Sequence, residues 1–86
     1  MPRVSVIVPT FNRARLIRET LNSVLKQTYD DYECLVIDDG SSDDTREAIG
    51  DLLPRLSYLP ISHGGAATAY NTGLRSACGE YVAFLD

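Results

Sequence analysis

The chain has 86 residues, of which 44% are hydrophobic and 23% charged, and its formal net charge is −4. This composition is typical of a globular domain and excludes a disordered chain. The charge argues against a nucleic-acid partner, and no apolar run reaches the roughly 20 residues that a membrane-spanning helix needs.

A strand and a helix open the chain. Residues 3 to 9, RVSVIVP, are rich in β-branched residues and apolar on both sides of the pleat apart from Ser5. This pattern is typical of a central strand covered on both faces, and Pro9 closes it. Asn12 then offers an N-cap for an amphipathic helix that extends to about Lys26.

A second strand and a second helix follow. The strand covers about Tyr32 to Asp38, in a run of buried-type residues. We predict that a helix capped by Ser42 extends to about Leu53, where Pro54 stops it. Asp43 and Asp44 fall in its first turn, where the helix dipole favours negative charge.

The last part of the chain predicts a strand, a helix and a strand. Residues 55 to 61, RLSYLPI, alternate as a weaker strand, and residues 81 to 85, YVAFL, form a buried-type strand. Between them, Gly79 marks the end of a helix that begins near Gly65. One face of this helix carries mostly small residues: Ala66, Ala69, Tyr70, Gly73, Leu74 and Ala77.

The order of these elements predicts an α/β fold, with four mainly parallel strands alternating with three helices that cover both faces of the sheet. We expect residues 1–86 to form one structural unit that is truncated. A chain that stops directly after a buried strand leaves an unpaired edge, which proteins normally cover. Self-association through this edge is therefore expected.

Polar and aromatic residues follow three of the predicted strands. In parallel α/β sheets, ligands bind outside the carboxyl ends of the strands, near the point where strand order reverses. A flat ring, hydrogen-bonding carboxylates and a separate acid meet at this edge, which suits a ligand with a planar polar ring and a charged, metal-bridged portion. These residues are Pro9, Thr10, Phe11 and Asn12, then Asp38, Asp39, Gly40 and Ser41, and finally Asp86.

Each of these residues also has a structural interpretation. Asp38 could serve only as a loop carboxylate that accepts backbone N–H groups. Structural and ligand-binding roles both stay open for Phe11 and Asp39. We interpret His63 as a surface loop residue, because no serine or cysteine near it suggests a nucleophilic triad.

Several known motifs are absent from the sequence. It contains no G-x-G-x-x-G, no phosphate-binding G-x-x-x-x-G-K-[ST] loop and no C-x-x-C, and the acidic run does not fit a calcium loop. Cys34 and Cys78, the only cysteines, are expected to be two buried thiols, with a disulfide as the alternative. From the residues alone, the prediction is an acidic, metal-capable site at the edge of an α/β sheet.

Three segments resemble the amino-terminal half of the family 2 glycosyltransferases, an inverting group with the GT-A fold. The resemblance covers essentially the whole chain in order, and its most specific parts are PTFNR, VIDDGSSDDT and GEYVAFLD. The segments are VSVIVPTFNR, LNSVLKQTYDDYECLVIDDGSSDDT and HGGAATAYNTGLRSACGEYVAFLD.

The resemblance implies that this chain binds a nucleotide-diphosphate sugar, with UDP as the expected nucleotide. Phe11 would lie against the base, beside Pro9 and Thr10 of the same turn. Asp39 would accept a hydrogen bond from the base, and Asp38 would support the loop. Small residues would let the third helix, which carries Asn71 and Gly73, sit close to the nucleotide.

The resemblance also implies a divalent metal. Asp86 corresponds to the first acid of the family's Asp-any-Asp motif, which holds Mn²⁺ or Mg²⁺ against the donor diphosphate. We expect the acceptor half and the catalytic base beyond residue 86, so this chain alone should be inactive. We expect the full-length protein to be cytoplasmic. Its attachment to the cytoplasmic face of the membrane stays open.

Tyr70 stands where many relatives carry an arginine, so one expected contact to the nucleotide is missing. Two alternatives to the enzyme remain. The first is a non-catalytic α/β module that binds a nucleotide or a partner. The second is a receiver-like signalling domain, but Pro9, Thr10, Ser62 and His63 occupy the places where such domains carry their acids.

Overall fold

A computed structural model describes residues 2–85 of the chain. Four strands form one sheet: β1 (Val4–Thr10), β2 (Tyr32–Asp39), β3 (Ser57–Ile61) and β4 (Tyr81–Phe84). The strand order is β3-β2-β1-β4, and every neighbouring pair is parallel. The helices are α1 (Ala14–Lys26), α2 (Thr45–Ala48) and α3 (Ala66–Ser76), with a short 3₁₀ turn at Gly50–Leu52. The predicted α/β fold is confirmed.

The two faces of the sheet bury different kinds of side chain. On one face, α1 contributes Ile17, Leu21 and Val24 to a large apolar cluster over β1 and β2. On the other face, α3 contributes Ala69 to a smaller cluster with Ile7 and other residues of the same strands. A Cβ atom at Gly73 would lie 2.5 Å from Cγ2 of Ile7, so α3 packs close to the sheet because glycine has no side chain there.

The predicted N-cap of α1 is wrong. Asn12 lies outside the helix with φ of 51°, a left-handed conformation that asparagine tolerates. Its side-chain oxygen accepts hydrogen bonds from the backbone N–H groups of Ser42 at 2.7 Å and Asp43 at 3.3 Å. Asn12 therefore joins two loops, and α1 begins at Ala14 with no capping hydrogen bond from the side chain of its N-cap residue, Arg13.

The predicted second helix is also wrong in its length and its cap. Only Thr45–Ala48 is α-helical, and a 3₁₀ turn follows it. Gly50 is the first residue of this turn, and a glycine there would cost a continuing α-helix about 1 kcal/mol relative to alanine. The side chain that hydrogen-bonds to the start of α2 is Asp43 and not Ser42. The Asp43 carboxylate accepts the backbone N–H of Thr45 at 3.1 Å and also that of Ala14, at the start of α1, at 3.3 Å.

Strand β4 lies at one edge of the sheet, and all four of its residues are exposed. It is not the buried strand that its apolar sequence predicts, because within residues 2–85 no further strand pairs with it. Cys34 is buried and Cys78 is exposed, and neither forms a disulfide. The expectation of two buried thiols is therefore correct for Cys34 alone.

The amino edge of the sheet is closed by a hydrogen-bonded group that we call the amino-edge clamp: Ser5, Glu33, Cys78 and Gly79. The Glu33 carboxylate, near the start of β2, accepts the Ser5 hydroxyl and the backbone N–H of Cys78, the latter at 2.6 Å. The Ser5 oxygen in turn accepts the N–H of Gly79 at 2.8 Å. This clamp holds the segment after α3 to the first two strands.

The carboxyl ends of all four strands lie at the opposite edge. Strand β1 includes Pro9 and continues to Thr10, one residue beyond its predicted end. The pairing of β4 with β1 stops at Ile7, so β1 extends past its neighbour on that side. No helix within residues 2–85 has the length and apolar character that crossing a membrane requires.

Candidate functional site

A cleft of about 410 Å³ opens at the carboxyl edge of the sheet. Its floor is the end of β1, and its walls are the first turns of α1 and α3. Because these helices cover opposite faces, the cleft lies where the chain connections change from one face to the other. This is the position at which open α/β sheets bind ligands.

The structure brings four of the predicted binding residues to the cleft and leaves the others outside it. Pro9, Thr10, Phe11 and Asp39 line the cleft. Asp38 is buried behind it, and Asn71 is exposed on α3 outside its lining. The predicted metal residue, Asp86, lies outside the described residues.

Asp39 ends β2 and holds the segment before α3, in a group that we call the carboxyl-edge clamp: Asp39, His63, Gly64 and Gly65. Its carboxylate accepts the N–H groups of Gly64 at 2.8 Å and Gly65 at 3.0 Å. Nδ1 of His63 lies 3.0 Å from the same carboxylate. Gly65 has φ of 95°, which only glycine adopts readily.

This clamp keeps Asp39 ionised. The hydrogen bond from Gly64, then the bond from Gly65 and the nearby His63, hold the pKa of Asp39 below its ordinary value. Burial acts in the opposite direction but does not outweigh these donors. The cleft therefore has a carboxylate at one end at neutral pH.

Asp38 points to the other side of β2 and has a different set of partners. Its carboxylate accepts the N–H of Ser41 at 2.9 Å and the hydroxyl of Tyr58. Burial, and then the hydrogen bond to Asp38, raise the pKa of Tyr58. Asp38 thus fastens the loop after β2 to β3.

Phe11 and His63 stack against each other at the mouth of the cleft. Their ring centroids are 4.3 Å apart and the rings are inclined by 26°. Sequence reasoning missed His63, which belongs to the site and is not an isolated loop residue. The signal was available in the topology: β2 and β3 are parallel neighbours with Asp39 opposite Ile61, so the residues just after β3 must lie beside Asp39.

No group of three His, Cys, Asp or Glu side chains within residues 2–85 could hold a metal ion. Within the described residues, the lining of the cleft contains one carboxylate, Asp39, and one imidazole, His63. The described part of the cleft therefore offers contacts for an organic ligand and not a metal centre.

Comparison with known proteins gives a consistent family. The family model of glycosyl transferase family 2 matches residues 5–86. An Escherichia coli relative, UDP-Glc:alpha-D-GlcNAc-diphosphoundecaprenol beta-1,3-glucosyltransferase, is 45% identical over 85 residues, covering 96% of this chain and 34% of that protein. Among eight curated relatives that it matches, the chain spans between 12% and 34% of the relative's own length.

Solved structures agree in fold. Staphylococcus aureus TarS 1-349 in complex with UDP-GlcNAc matches with a TM-score of 0.87 and 36% identity, over 98% of this chain and 26% of that one. A mannosyltransferase from Pyrobaculum calidifontis in complex with GDP-Man and Mn²⁺ matches with a TM-score of 0.79 and 40% identity, over 94% of this chain and 26% of that one.

Proposed function

The chain belongs to glycosyl transferase family 2, and we propose that its cleft binds the nucleotide of a nucleotide-diphosphate sugar, with UDP as the nucleotide. On this proposal, residues 1–86 are the donor-binding part of a larger GT-A domain. The whole protein transfers the sugar to an acceptor hydroxyl with inversion. The observation that carries the proposal is the meeting of the Phe11 ring and the ionised Asp39 carboxylate in a cleft at the switch point of the sheet.

The two ends of the cleft suit the two features of a nucleobase. The Phe11 ring supplies a flat apolar face, and stacking of a base on an aromatic ring contributes about 1–3 kcal/mol. Asp39 supplies a charged acceptor for a base N–H such as the ring N–H of uracil. Pro9 and Thr10 shape the floor beside Phe11.

Two further residues support the proposal from outside the cleft. Asp38 holds the loop after β2 through Ser41 and Tyr58, and so keeps the end of β2 in place. Asn71 has an exposed amide on α3, available to the nucleotide on its solvent side.

A divalent metal belongs to the proposal through Asp86, which lies outside the described residues. When bound, Mn²⁺ or Mg²⁺ would neutralise the diphosphate that leaves as the glycosidic bond breaks. The neighbouring mannosyltransferase complex contains Mn²⁺, which supports this part of the proposal. We assign no catalytic base to residues 2–85.

The diphosphoundecaprenol acceptor named for the Escherichia coli relative is a lipid-linked compound. We therefore propose that the whole protein works at the cytoplasmic face of a membrane. Sedimentation of the full-length protein with anionic vesicles would check this, and its recovery in the supernatant at all lipid concentrations would count against it.

Calorimetric titration with UDP and with GDP tests the nucleotide proposal. We expect the wild-type chain to bind UDP more tightly than GDP, and Phe11→Ala and Asp39→Asn each to weaken UDP binding about tenfold or more. Tyr29→Ala and Asp30→Asn remove an exposed aromatic ring and an exposed acid in the loop before β2 and should leave the affinity unchanged. Equal affinities in all four variants, or no binding by the wild type, would contradict the proposal.

We also propose that the chain self-associates through β4. Tyr81, Val82 and Phe84 are exposed apolar residues on this edge strand, which carries no proline or charge to block pairing. On the opposite edge, β3 contains Pro60, which lacks an N–H. Light scattering should show oligomers whose fraction rises with concentration, and a monomer at all concentrations would refute this.

A further inference from the structure

A side chain of the protein itself contacts both Phe11 and Asp39. The imidazole of His63 is a flat heteroaromatic ring that stacks on Phe11 with a centroid distance of 4.3 Å. Its Nδ1 lies 3.0 Å from the Asp39 carboxylate. An aromatic stack and a ring nitrogen at the carboxylate are the two contacts that the proposed function gives to a base.

The Asp39 carboxylate is not open to a ligand in this arrangement. Only 6% of its side-chain surface is accessible, although it lines the cleft. Two of its three donors are the backbone N–H groups of Gly64 and Gly65, which are fixed at the start of α3. The third is the His63 ring, whose side chain is 59% exposed and can rotate into solvent.

The backbone of His63 is held in place, whereas its ring is held only by the stack on Phe11 and by the contacts of Nδ1 with the Asp39 carboxylate at 3.0 Å and the Asp39 backbone carbonyl at 3.1 Å. A Cβ atom on Gly40 would lie 2.8 Å from the backbone nitrogen of His63, so the turn after β2 packs directly against this segment. The next residue, Gly64, is bonded to Asp39. A ligand can therefore uncover Asp39 by turning one side chain, without moving the loop.

We propose that His63 is a displaceable cover of the base position: it occupies the Phe11 face and the Asp39 carboxylate in the free chain, and the nucleobase replaces it. This inference rests on the proposed function, because it assumes that a base binds at Phe11 and Asp39. The cover lowers the apparent affinity, since only the fraction of molecules with the ring turned out can accept the base. It also gives the Asp39 carboxylate a polar partner when no nucleotide is bound.

The test is a calorimetric titration of the 86-residue chain with UDP. His63→Ala removes the cover and should tighten UDP binding by about two- to tenfold, the range expected from losing one aromatic stack and one polar contact with Asp39. His63→Phe keeps a ring for Phe11 but loses the contact to Asp39, so we expect an intermediate affinity. Ser62→Ala, an exposed neighbour in the same loop, should bind as the wild type does.

A second measurement follows the ring directly and does not depend on affinity. Proton NMR of the free chain should show cross-relaxation between the His63 and Phe11 rings, and saturating UDP should abolish it. Persistence of this signal in the UDP complex would overturn the cover, whether or not the alanine variant folds well.

The outcomes separate this inference from the function on which it rests. Tighter binding by His63→Ala, with Ser62→Ala unchanged, supports the cover. Unchanged or weaker binding by His63→Ala, with the wild type binding UDP normally, overturns the cover and leaves the proposed function standing, with His63 as an ordinary wall of the site. Absence of UDP binding by both the wild type and His63→Ala overturns the proposed function and the cover together.

Discussion

Helix α3 is fastened to β2 at both ends by a carboxylate, and the two clamps differ in what surrounds the acid. At the amino edge, Glu33 is bonded to Ser5, which is fully buried, and to the backbone after α3. At the carboxyl edge, Asp39 is bonded to the backbone before α3, but its third partner, His63, is largely exposed. The same device is therefore rigid at one edge and can be opened from solvent at the other.

The difference follows from the space beside the glycine that precedes α3 and the glycine that follows it. At the amino edge, a Cβ atom on Gly79 would lie 2.6 Å from the backbone nitrogen of Ser5, so two backbone segments are in direct contact. At the carboxyl edge, a Cβ atom on Gly65 would meet nothing within 4 Å, and the cleft begins beside it. A carboxylate can thus serve packing at one end of a strand and ligand binding at the other.

The largest effect is expected from adding a methyl group at Gly79, where the amino edge is tightly packed. Gly79→Ala should lower the free energy of unfolding by about 3 kcal/mol, because the nearest atom, the backbone nitrogen of Ser5, cannot turn aside. Urea unfolding would measure this. Gly50→Ala is the matched control: its Cβ would meet nothing within 4 Å, and its stability should change by less than about 1 kcal/mol. An equal loss in the free energy of unfolding for Gly79→Ala and Gly50→Ala would contradict the rigidity of the amino edge.

A smaller effect should distinguish the two acids by function. Glu33→Ala leaves the Ser5 hydroxyl and the Cys78 N–H without their acceptor and should cost about 1–2 kcal/mol of stability. We expect its UDP affinity, measured by calorimetry, to equal that of the wild type. Asp39→Asn should also destabilise the chain but lose UDP binding. Loss of binding in both variants would mean that the clamps act as one unit.

The smallest effect concerns acid stability. Because the pKa of Asp39 is lowered in the folded chain, its ionised form stabilises the fold above the unfolded value of about 3.9, and this contribution disappears as pH falls through the folded pKa. The difference in the free energy of unfolding between the wild type and Asp39→Asn should have its full value above about pH 5 and should decrease below about pH 4. Urea unfolding across this range would measure it. Asp43 and Asp51, whose pKa values are also lowered, are present in both proteins and cancel. A difference that stays constant down to the lowest pH would show that the charge of Asp39 is irrelevant.

The bounds of the strands could be predicted from the sequence to within about two residues, because runs of mainly apolar residues are bounded by loop residues. Residues 32 to 38 and 55 to 61 were predicted, and Tyr32–Asp39 and Ser57–Ile61 are observed. The short helix α2 could not be predicted, since its N-terminal bonds come from Asp43 and its continuation is broken at Gly50. Helical periodicity alone does not detect either effect.

The sequence predicts those residues of the candidate site whose position depends on a single strand. It does not predict those whose position depends on which strands are neighbours in the sheet. Phe11 and Asp39 stand directly after β1 and at the end of β2, so their position at the carboxyl edge follows from a parallel sheet. The pairing of His63 with both of them depends on which strands are neighbours. In the same way, Asn12 bonds to Ser42 and Asp43, across two loops that sequence spacing does not connect.

The extension of β1 beyond β4 also explains a proline inside a central strand. The carbonyl groups of Arg3 and Ile7 accept hydrogen bonds from Tyr81 and Leu85, so every second residue of β1, Pro9 among them, turns its backbone toward β4. Within residues 2–85, the pairing of β4 ends before Pro9, and a missing N–H there removes no bond from the ladder. The pyrrolidine ring fixes the φ angle of Pro9 at about −65°. The backbone that leads to Phe11 is therefore restricted at Pro9, two residues before the aromatic ring.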